Sequence, residues 1–175
     1  MSVTNCYQPK IQSADRKISL IDVTELNRSY ALFIILRAEF VLEYFDIDNI
    51  HKREYLVGQL TQKVISLLKL PTIETDILIS KDRIKYTLKH EPEFDSYEQY
   101  KECFEMTPDI IAAPDYVAIH PNGESIEYIK RLNRLVLVAV RIKSGEHLWV
   151  SSFFTISQAK LNLYIRQGTA KRFSK

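Results

Sequence analysis

One stretch of the chain, residues 135–157, restricts the fold more than any other. Its sequence is LVLVAVRIKSGEHLWVSSFFTIS, an aliphatic and mostly β-branched run, then Lys-Ser-Gly-Glu, then aromatic residues mixed with Ser and Thr. Such runs on either side of a glycine-containing turn are typical of a β-hairpin. With Ser144 and Gly145 in the turn, we expect Val140 to lie opposite Trp149.

Alternation along this hairpin divides its side chains between two faces. We expect one face to be large and apolar and to pack on helices; its members are Val136, Val138, Val140, Ile142, Trp149 and Phe153. The second face is mixed and consists of Leu137, Ala139, Arg141, Val150, Ser152 and Phe154. Because a small residue there leaves room beside a cation and a hydroxyl, we expect function on this second face.

Composition excludes several classes of protein. The chain has 175 residues, 46% hydrophobic and 26% charged, which is typical of a globular domain and not of a disordered chain. The net charge of +2 is small for a nucleic-acid-binding protein, so any basic surface must be local. No apolar run approaches the roughly 20 residues that span a bilayer. For these reasons we expect no membrane partner. Cys6 and Cys103 are far apart in the sequence, as expected of free thiols, so we expect a cytoplasmic protein.

The first part of the chain is predicted to be mainly helical. Residues 30–45 are almost all apolar, and residues 50–70 carry apolar side chains at helical spacing until Pro71 ends the run. We therefore expect an N-terminal mainly helical region over residues 1–72, with a tethering or regulatory role.

Residues 73–175 are predicted to form a second domain, a four-stranded antiparallel β-meander packed on helices. An Asn122-Gly123 turn joins strands expected over residues 116–120 and 125–132, and the hairpin supplies the other two strands. Helices are expected over residues 81–90 with Ser80 as N-cap, over residues 97–104, and over residues 157–167. The fold class is therefore α+β, and we expect the basic tail AKRFSK to be frayed.

The helix predicted over residues 81–90 carries candidate site residues. Lys85 and Lys89 are four residues apart, and so are Tyr86 and His90, which places cations beside an aromatic ring and an imidazole. A solvated helix face has the same pattern, so the stripe is functional only if it faces a ligand. His90 lies near the helix C-terminus, where the helix dipole favours an imidazolium that can act as a general acid.

Five segments that follow one another in the second half of the chain carry a family resemblance. They are YTLKHEPEF, PDIIAAPDYVAIHP, SIEYIKRL, NRLVLVAVRI and HLWVSSFFTISQAKL, and they span roughly residues 75–168. In this order and spacing they resemble the phage-associated nucleases of the Barnase, EndoU, colicin and RelE-like group. The resemblance implies a helix pair packed on a four-stranded antiparallel sheet, and metal-independent cleavage of RNA on the open sheet face.

The resemblance also implies which residues act. A helix-borne histidine with a neighbouring basic residue, and a Ser or Thr of the last strand, are the expected positions. Here they fall on His90, Lys89 and Ser152. Relatives often carry a second histidine four residues before the first, and this chain has Tyr86 there. What completes the acid and base pair therefore stays open.

The chemistry of RNA cleavage is consistent with these residue types. Attack by the 2′-hydroxyl needs a proton acceptor, a proton donor and fixed positive charge near the phosphoryl oxygens, and it needs no metal or other cofactor. His90 could be the acid or the base, and Ser152 or Tyr86 could hydrogen-bond a non-bridging oxygen. Substrate contacts are expected from Lys85, Lys89, Arg141, Lys130 and Ser151.

Two functions from different classes fit the sequence. The first is a metal-independent endoribonuclease, a phage or mobile-element toxin-like effector whose partners are an RNA, such as tRNA or mRNA, and an inhibitor or immunity protein. The second is a catalytically inactive RNA- or protein-binding module on the same fold, in which Arg141 and Ser152 are simply polar residues of an exposed sheet.

The four histidines, His51, His90, His120 and His147, show no zinc-ligand spacing.

Overall fold

The computed structural model describes residues 42–142 and 145–173. The elements follow the chain as β1 (Glu54–Leu60), α1 (Gln62–Leu68), β2 (Thr75–Ser80), α2 (Lys81–Thr87), a 3-10 helix (Leu88–Glu93), α3 (Tyr97–Glu105), α4 (Thr107–Ala112), β3 (Tyr116–Ile119), β4 (Ser125–Arg131), β5 (Leu135–Arg141), β6 (Leu148–Thr155), α5 (Gln158–Arg166) and β7 (Ala170–Arg172). The predicted α+β class is confirmed. None of the described helices is both long enough and apolar enough to cross a membrane.

The described strands form one mixed sheet of seven strands, in the order β1-β2-β6-β5-β4-β3-β7. Strands β3 to β6 pair antiparallel in chain order, whereas β2 and β6 are parallel. The prediction of a four-stranded antiparallel sheet is therefore wrong in detail, because β1, β2 and β7 extend the sheet. Pairing between strands as distant in sequence as β2 and β6 leaves no local signal, since no short turn connects them.

Residues 50–70 are not one helix, as the sequence had suggested. Strand β1 occupies the first part, and α1 begins only at Gln62. β1 pairs antiparallel with β2 and has an irregular register between Leu56 and Gly58, which leaves Val57 as an extra residue. This bulge breaks the strand alternation, so apolar spacing in β1 imitates that of a helix.

Residues 1–72 are described only from residue 42 onwards. The helix predicted over residues 30–45 lies outside the described residues except for its last four positions, which are not helical. The pairing of β1 with β2 carries the sheet across the predicted division at residue 72. A regulatory or tethering role for residues 1–72 stays a prediction.

Local capping signals predict where α2, α3 and α5 begin, but the helix predicted over residues 81–90 ends at Thr87 and a 3-10 helix follows it. The hydroxyls of Ser80, Ser96 and Ser157 each accept a hydrogen bond from the backbone N–H three residues later. Gly168, which follows α5, adopts a φ of +73°, a conformation that favours glycine. The predicted frayed tail is wrong for the described residues, because β7 pairs with β3 at the sheet edge.

Helices cover the two faces of the sheet unequally. On one face α1, α3 and α4 enclose the main core, in which Tyr100, Phe104 and Phe153 are fully buried. On the second face α5 encloses a smaller core around Leu137, whereas Arg141 at the other end of β5 is exposed. Part of the second face is thus open to solvent.

The hairpin of β5 and β6 forms, but its register differs from the predicted one. Val140 pairs with Val150 and not with Trp149. The register shifts between Ala139 and Val140, which leaves Ser151 as an extra residue on β6. This arrangement is a β-bulge, a feature that re-aims the side chains beside it.

The bulge exchanges two side chains between the faces of the sheet. Val150, predicted on the second face, is buried in the main core. Trp149, predicted on the core face, pairs with Arg141 and therefore shares its face. Ser152 pairs with Ala139 and lies on the second face, as predicted.

Candidate active site

Helix α2 and the 3-10 helix take the place of a strand beside β6. Strand β2 pairs with β6 only at Ile77 with Leu148 and at Leu78 with Trp149, and the chain then enters α2 after Ser80. Both α2 and the 3-10 helix pack against β6. Helix-borne side chains consequently reach the open part of the second face.

His90 joins the 3-10 helix to the sheet. Its Nε2 lies 3.3 Å from Oγ of Ser152, and its ring packs on that of Phe154 with 5.5 Å between centroids. Its Nδ1 lies 2.6 Å from Oε1 of Glu93. Because the carboxylate accepts a hydrogen bond from Nδ1–H, Nε2 is the nitrogen that faces the site.

Glu93 is held by the edge of β6. Its Oε2 accepts hydrogen bonds from the backbone N–H of Thr155 at 2.8 Å and from the Thr155 hydroxyl at 3.0 Å. Burial raises the pKa of Glu93, but the hydrogen bonds from His90 and Thr155 outweigh burial and place this pKa below its ordinary value. Glu93 is therefore an ionised carboxylate that orients His90.

Glu127 of β4 is a buried carboxylate on the same face. It is 1% exposed, and its Oε2 has no hydrogen-bond partner among the residues that the structure describes. It pairs with Ala139, which in turn pairs with Ser152. The three residues thus form a row across β4, β5 and β6.

The two polar ends of the row lie two strand spacings apart. Adjacent strands lie about 4.8 Å apart, so the Cα atoms of Glu127 and Ser152 are separated by roughly 10 Å. Ala139, between them, contributes only a methyl group and is 8% exposed. Glu127 lies at one end of the row, and the pair of Ser152 and His90 lies at the other.

Polar and charged groups around Glu127 moderate its burial. Burial raises the pKa of Glu127, and the charges of His120 and Lys160 and a hydrogen bond from Tyr164 offset part of this increase. A carboxyl group with a raised pKa has a proton affinity closer to that used in acid and base catalysis at neutral pH. Glu127 is therefore chemically suited to proton transfer.

Lys160 of α5 supplies positive charge to the same region. Its Nζ lies 5.4 Å from the ring centroid of Phe154 and 5.6 Å from that of Tyr164. His90 packs on the same Phe154 ring. An aromatic side chain of β6 thus holds a lysine and the central histidine near each other.

Tyr86 of α2 and Lys89 of the 3-10 helix form a cluster of their own with Arg83. The Lys89 Nζ hydrogen-bonds the Tyr86 hydroxyl and lies 3.8 Å from its ring centroid, and the Arg83 guanidinium lies 4.7 Å from this ring. The hydrogen bond and charge of Lys89 lower the pKa of Tyr86, which is 50% exposed. Within the described residues neither Tyr86 nor Lys89 forms a hydrogen bond with His90.

The predicted substrate-binding residues are divided between different surfaces. Arg141 and Ser151 line a pocket of about 190 Å³ next to Ser152. Lys85 is exposed on α2.

Lys130 does not join the other site residues. Its Nζ donates a hydrogen bond to the carbonyl oxygen of Ala113, and its partner in β5 is Val136 of the main core. Alternation along β4 therefore places Lys130 on the face of the sheet opposite to that of Ser152.

Four residues of this region were missed from sequence, and three of them left a signal. Glu93 follows His90 by three residues, and Arg83 precedes it by seven, both of which place side chains on one helical face. Glu127 is a charged residue inside a predicted strand with apolar neighbours. Lys160 left no signal, because an isolated lysine on an amphipathic helix is ordinary.

Comparison with known proteins agrees with the predicted resemblance. The family described as phage-Barnase-EndoU-ColicinE5/D-RelE like nuclease3 matches residues 55–162, more than half of the 175-residue chain. No curated protein and no solved structure matches the chain. The matched residues include His90, Glu127 and Ser152. The chain therefore belongs to this family of phage-associated Barnase-EndoU-colicin-RelE-like nucleases, which implies a nucleic-acid substrate.

Proposed function

We propose that this protein is a metal-independent endoribonuclease that cleaves RNA by attack of a 2′-hydroxyl on the adjacent phosphate. The observation that supports the proposal is the position of His90 Nε2, 3.3 Å from Ser152 Oγ, at one end of the row whose other end is the buried Glu127. In-line displacement at phosphorus needs two proton-transfer groups on opposite sides of the reacting atoms.

Glu127 and His90 are assigned complementary roles. The Glu127 carboxylate accepts the proton of the 2′-hydroxyl as this oxygen bonds to phosphorus. The bond from phosphorus to the 5′-oxygen breaks, and His90 gives its Nε2 proton to that oxygen. The Glu93 carboxylate, 2.6 Å from Nδ1, orients the ring so that Nε2 faces the leaving oxygen. The products are a 2′,3′-cyclic phosphate and a 5′-hydroxyl.

The charge that develops on the phosphate is assigned to neighbouring groups. Ser152 donates a hydrogen bond to a non-bridging oxygen, and the Lys160 ammonium supplies fixed positive charge. Tyr86, four residues before His90, and Lys89, its immediate neighbour in sequence, contact the flanking RNA backbone. In this assignment Glu127 of the sheet takes the role of the second helix-borne histidine, at whose position this chain has Tyr86.

Cleavage of a short RNA tests the proposal. We expect cyclic phosphate and 5′-hydroxyl ends, an unchanged rate with a chelator, and no cleavage of a fully 2′-deoxy substrate. His90→Ala should lower kcat on the order of 10²-fold or more, the usual contribution of a positioned acid or base. Ser152→Ala should lose less, because a neutral hydrogen bond contributes about 1 kcal/mol.

His51→Ala provides a matched control, since His51 is exposed on the loop before β1. Cleavage of the deoxy substrate, or full activity of the His90 variant, would contradict the mechanism. RNA binding without cleavage would favour the inactive binding module instead.

We further propose that the ribonuclease acts as a toxin-like effector in the cytoplasm. The phage-associated family supports it. Expression in bacteria should arrest growth through RNA cleavage, and His90→Ala should relieve the arrest. Growth arrest that the variant retains would contradict a toxic ribonuclease. An inhibitor or immunity partner should then be sought as a protein that relieves it.

A further inference from the structure

A pocket of about 190 Å³ opens beside the candidate active site and has no role in the proposed chemistry. It is lined by Ser80, Arg83, Arg141, Trp149, Val150 and Ser151. Ser151 is the neighbour of Ser152, and Arg83 lies two helical turns before His90. The pocket therefore begins one residue away from the groups assigned to catalysis.

Strand divergence explains why a pocket exists here. The parallel strands β2 and β6 pair at two positions only, and β2 then gives way to α2 at Ser80. Crevices at the carboxyl ends of diverging strands are common ligand sites in open sheets with parallel strands. The bulge at Ser151 turns Trp149 towards this crevice and away from the main core.

The lining residues favour an anion. Two of the six are arginines and none is acidic. Within the described part of the chain neither Arg83 nor Arg141 forms an ion pair. A phosphate bound in the pocket would accept charge-assisted hydrogen bonds from both arginines that line it and would offset the repulsion between their like charges.

Trp149 adds a flat aromatic surface next to the arginines. Aromatic side chains beside a positive groove are the usual way in which proteins hold single-stranded nucleic acid, since every base has a face that can stack. The volume corresponds to about six water molecules in the liquid. It suits one phosphate with a base ring beside it, and not a folded nucleic acid.

We propose that this pocket is a nucleotide subsite of the ribonuclease. Arg83 and Arg141 bind the phosphate next to the cleaved one, and Trp149 stacks on the base of the nucleotide that carries this phosphate. The proposal rests on the ribonuclease function proposed above. It assigns single-stranded RNA as the substrate form, because a base paired in a helix cannot stack on the indole.

Substrates that differ by one charge test the assignment of the arginines. A tetranucleotide whose second residue is its single ribonucleotide has one cleavable position, and either of the two flanking phosphates can be replaced by a neutral methylphosphonate. We expect Arg83→Gln and Arg141→Gln to lower kcat/KM about tenfold or more on the charged substrate. The loss should shrink to less than about twofold when the phosphate on one side is neutral.

Arg166→Gln is the matched control, because Arg166 is an exposed arginine at the end of α5. It changes the net charge equally and should change neither rate. An equal loss for Arg83→Gln on the charged substrate and on both neutral ones would overturn the subsite, and so would the absence of any loss.

Fluorescence separates failure of the subsite from failure of the ribonuclease. Trp149 is the single tryptophan of the chain, so quenching on addition of a non-cleavable 2′-O-methyl trinucleotide reports stacking directly. We expect quenching that Arg83→Gln weakens and Arg166→Gln does not. Quenching without cleavage of RNA would support the subsite and contradict the ribonuclease, whereas cleavage without quenching would overturn the subsite alone.

Discussion

Replacement of Glu127 by glutamine tests whether the buried carboxylate lowers stability in return for catalysis. Glutamine has nearly the same size but cannot ionise. Glu127 is 1% exposed and its Oε2 has no hydrogen-bond partner among the described residues, so its ionised form is costly to bury. The variant should therefore lose activity while the fold becomes less sensitive to alkaline pH.

The sign of the stability effect follows from the direction of the pKa shift. Burial raises the pKa of Glu127 above the ordinary value of 4.5, so the folded protein holds this proton more tightly than the unfolded chain does. The free energy of unfolding of the wild type should thus fall as the pH rises from about 4 towards the raised pKa, and the variant should lack this contribution. A buried polar group without a partner costs about 1–3 kcal/mol, which sets the expected size.

Urea unfolding, followed by Trp149 fluorescence at about pH 4 and at about pH 8, measures this difference. The comparison of the two pH values removes any pH-independent cost of packing the amide. At neutral pH the variant should lose on the order of 10²-fold or more in kcat. Glu102→Gln, at an exposed position of α3, should change neither quantity.

Two results would refute the reasoning. A stability difference between wild type and Glu127→Gln that does not vary with pH would mean that burial of the ionised carboxylate does not destabilise the fold. Full activity of the variant would mean that Glu127 is not the base, and that the proton of the 2′-hydroxyl goes elsewhere.

Three further predictions concern the framework of the site. Alanine at Gly58 would place its Cβ 2.4 Å from Cγ2 of Ile111, so we expect Gly58→Ala to cost about 1–3 kcal/mol in urea unfolding. Ile111→Leu, which removes that methyl branch, should recover part of the loss in the double variant, and strictly additive effects would argue against the clash. Glu93 has a lowered pKa, so it stabilises the fold above its unfolded pKa and this contribution is lost as the pH falls through the folded pKa. Glu93→Gln should therefore flatten the acid side of the stability curve, and an acid titration by circular dichroism that superimposes on the wild type would disprove this. Ser96→Ala should cost about 1 kcal/mol through loss of the α3 N-cap and leave kcat unchanged, whereas reduced activity of the folded variant would link α3 to the site.

The sequence by itself determined the elements whose signals are local. The hairpin of residues 135–157, the Asn122-Gly123 turn and the serine caps all depend on residues a few positions apart, and each is present. His90 and Ser152 were also assigned to one site from the family resemblance, and the structure places Nε2 and Oγ 3.3 Å apart. Local propensity and motif order carry this much information because neither requires knowledge of distant contacts.

Contacts between distant residues decided what surrounds that pair. Glu93 accepts a hydrogen bond from Thr155, which is 62 positions away in the sequence. β2 pairs with β6 although no short turn connects the two strands. Because of the bulge at Ser151, Trp149 lies on the second face and not in the core as predicted. Secondary-structure propensities do not indicate such a bulge.

Register is the physical reason for this difference. Each residue of a strand faces one side or the other, so a shift of one position reverses every assignment beyond it. Glu127 lies in one row with Ser152 only because β4 and β6 align on Ala139 of β5. That alignment is set by packing on both faces of the whole sheet, and it therefore exists only in the folded chain.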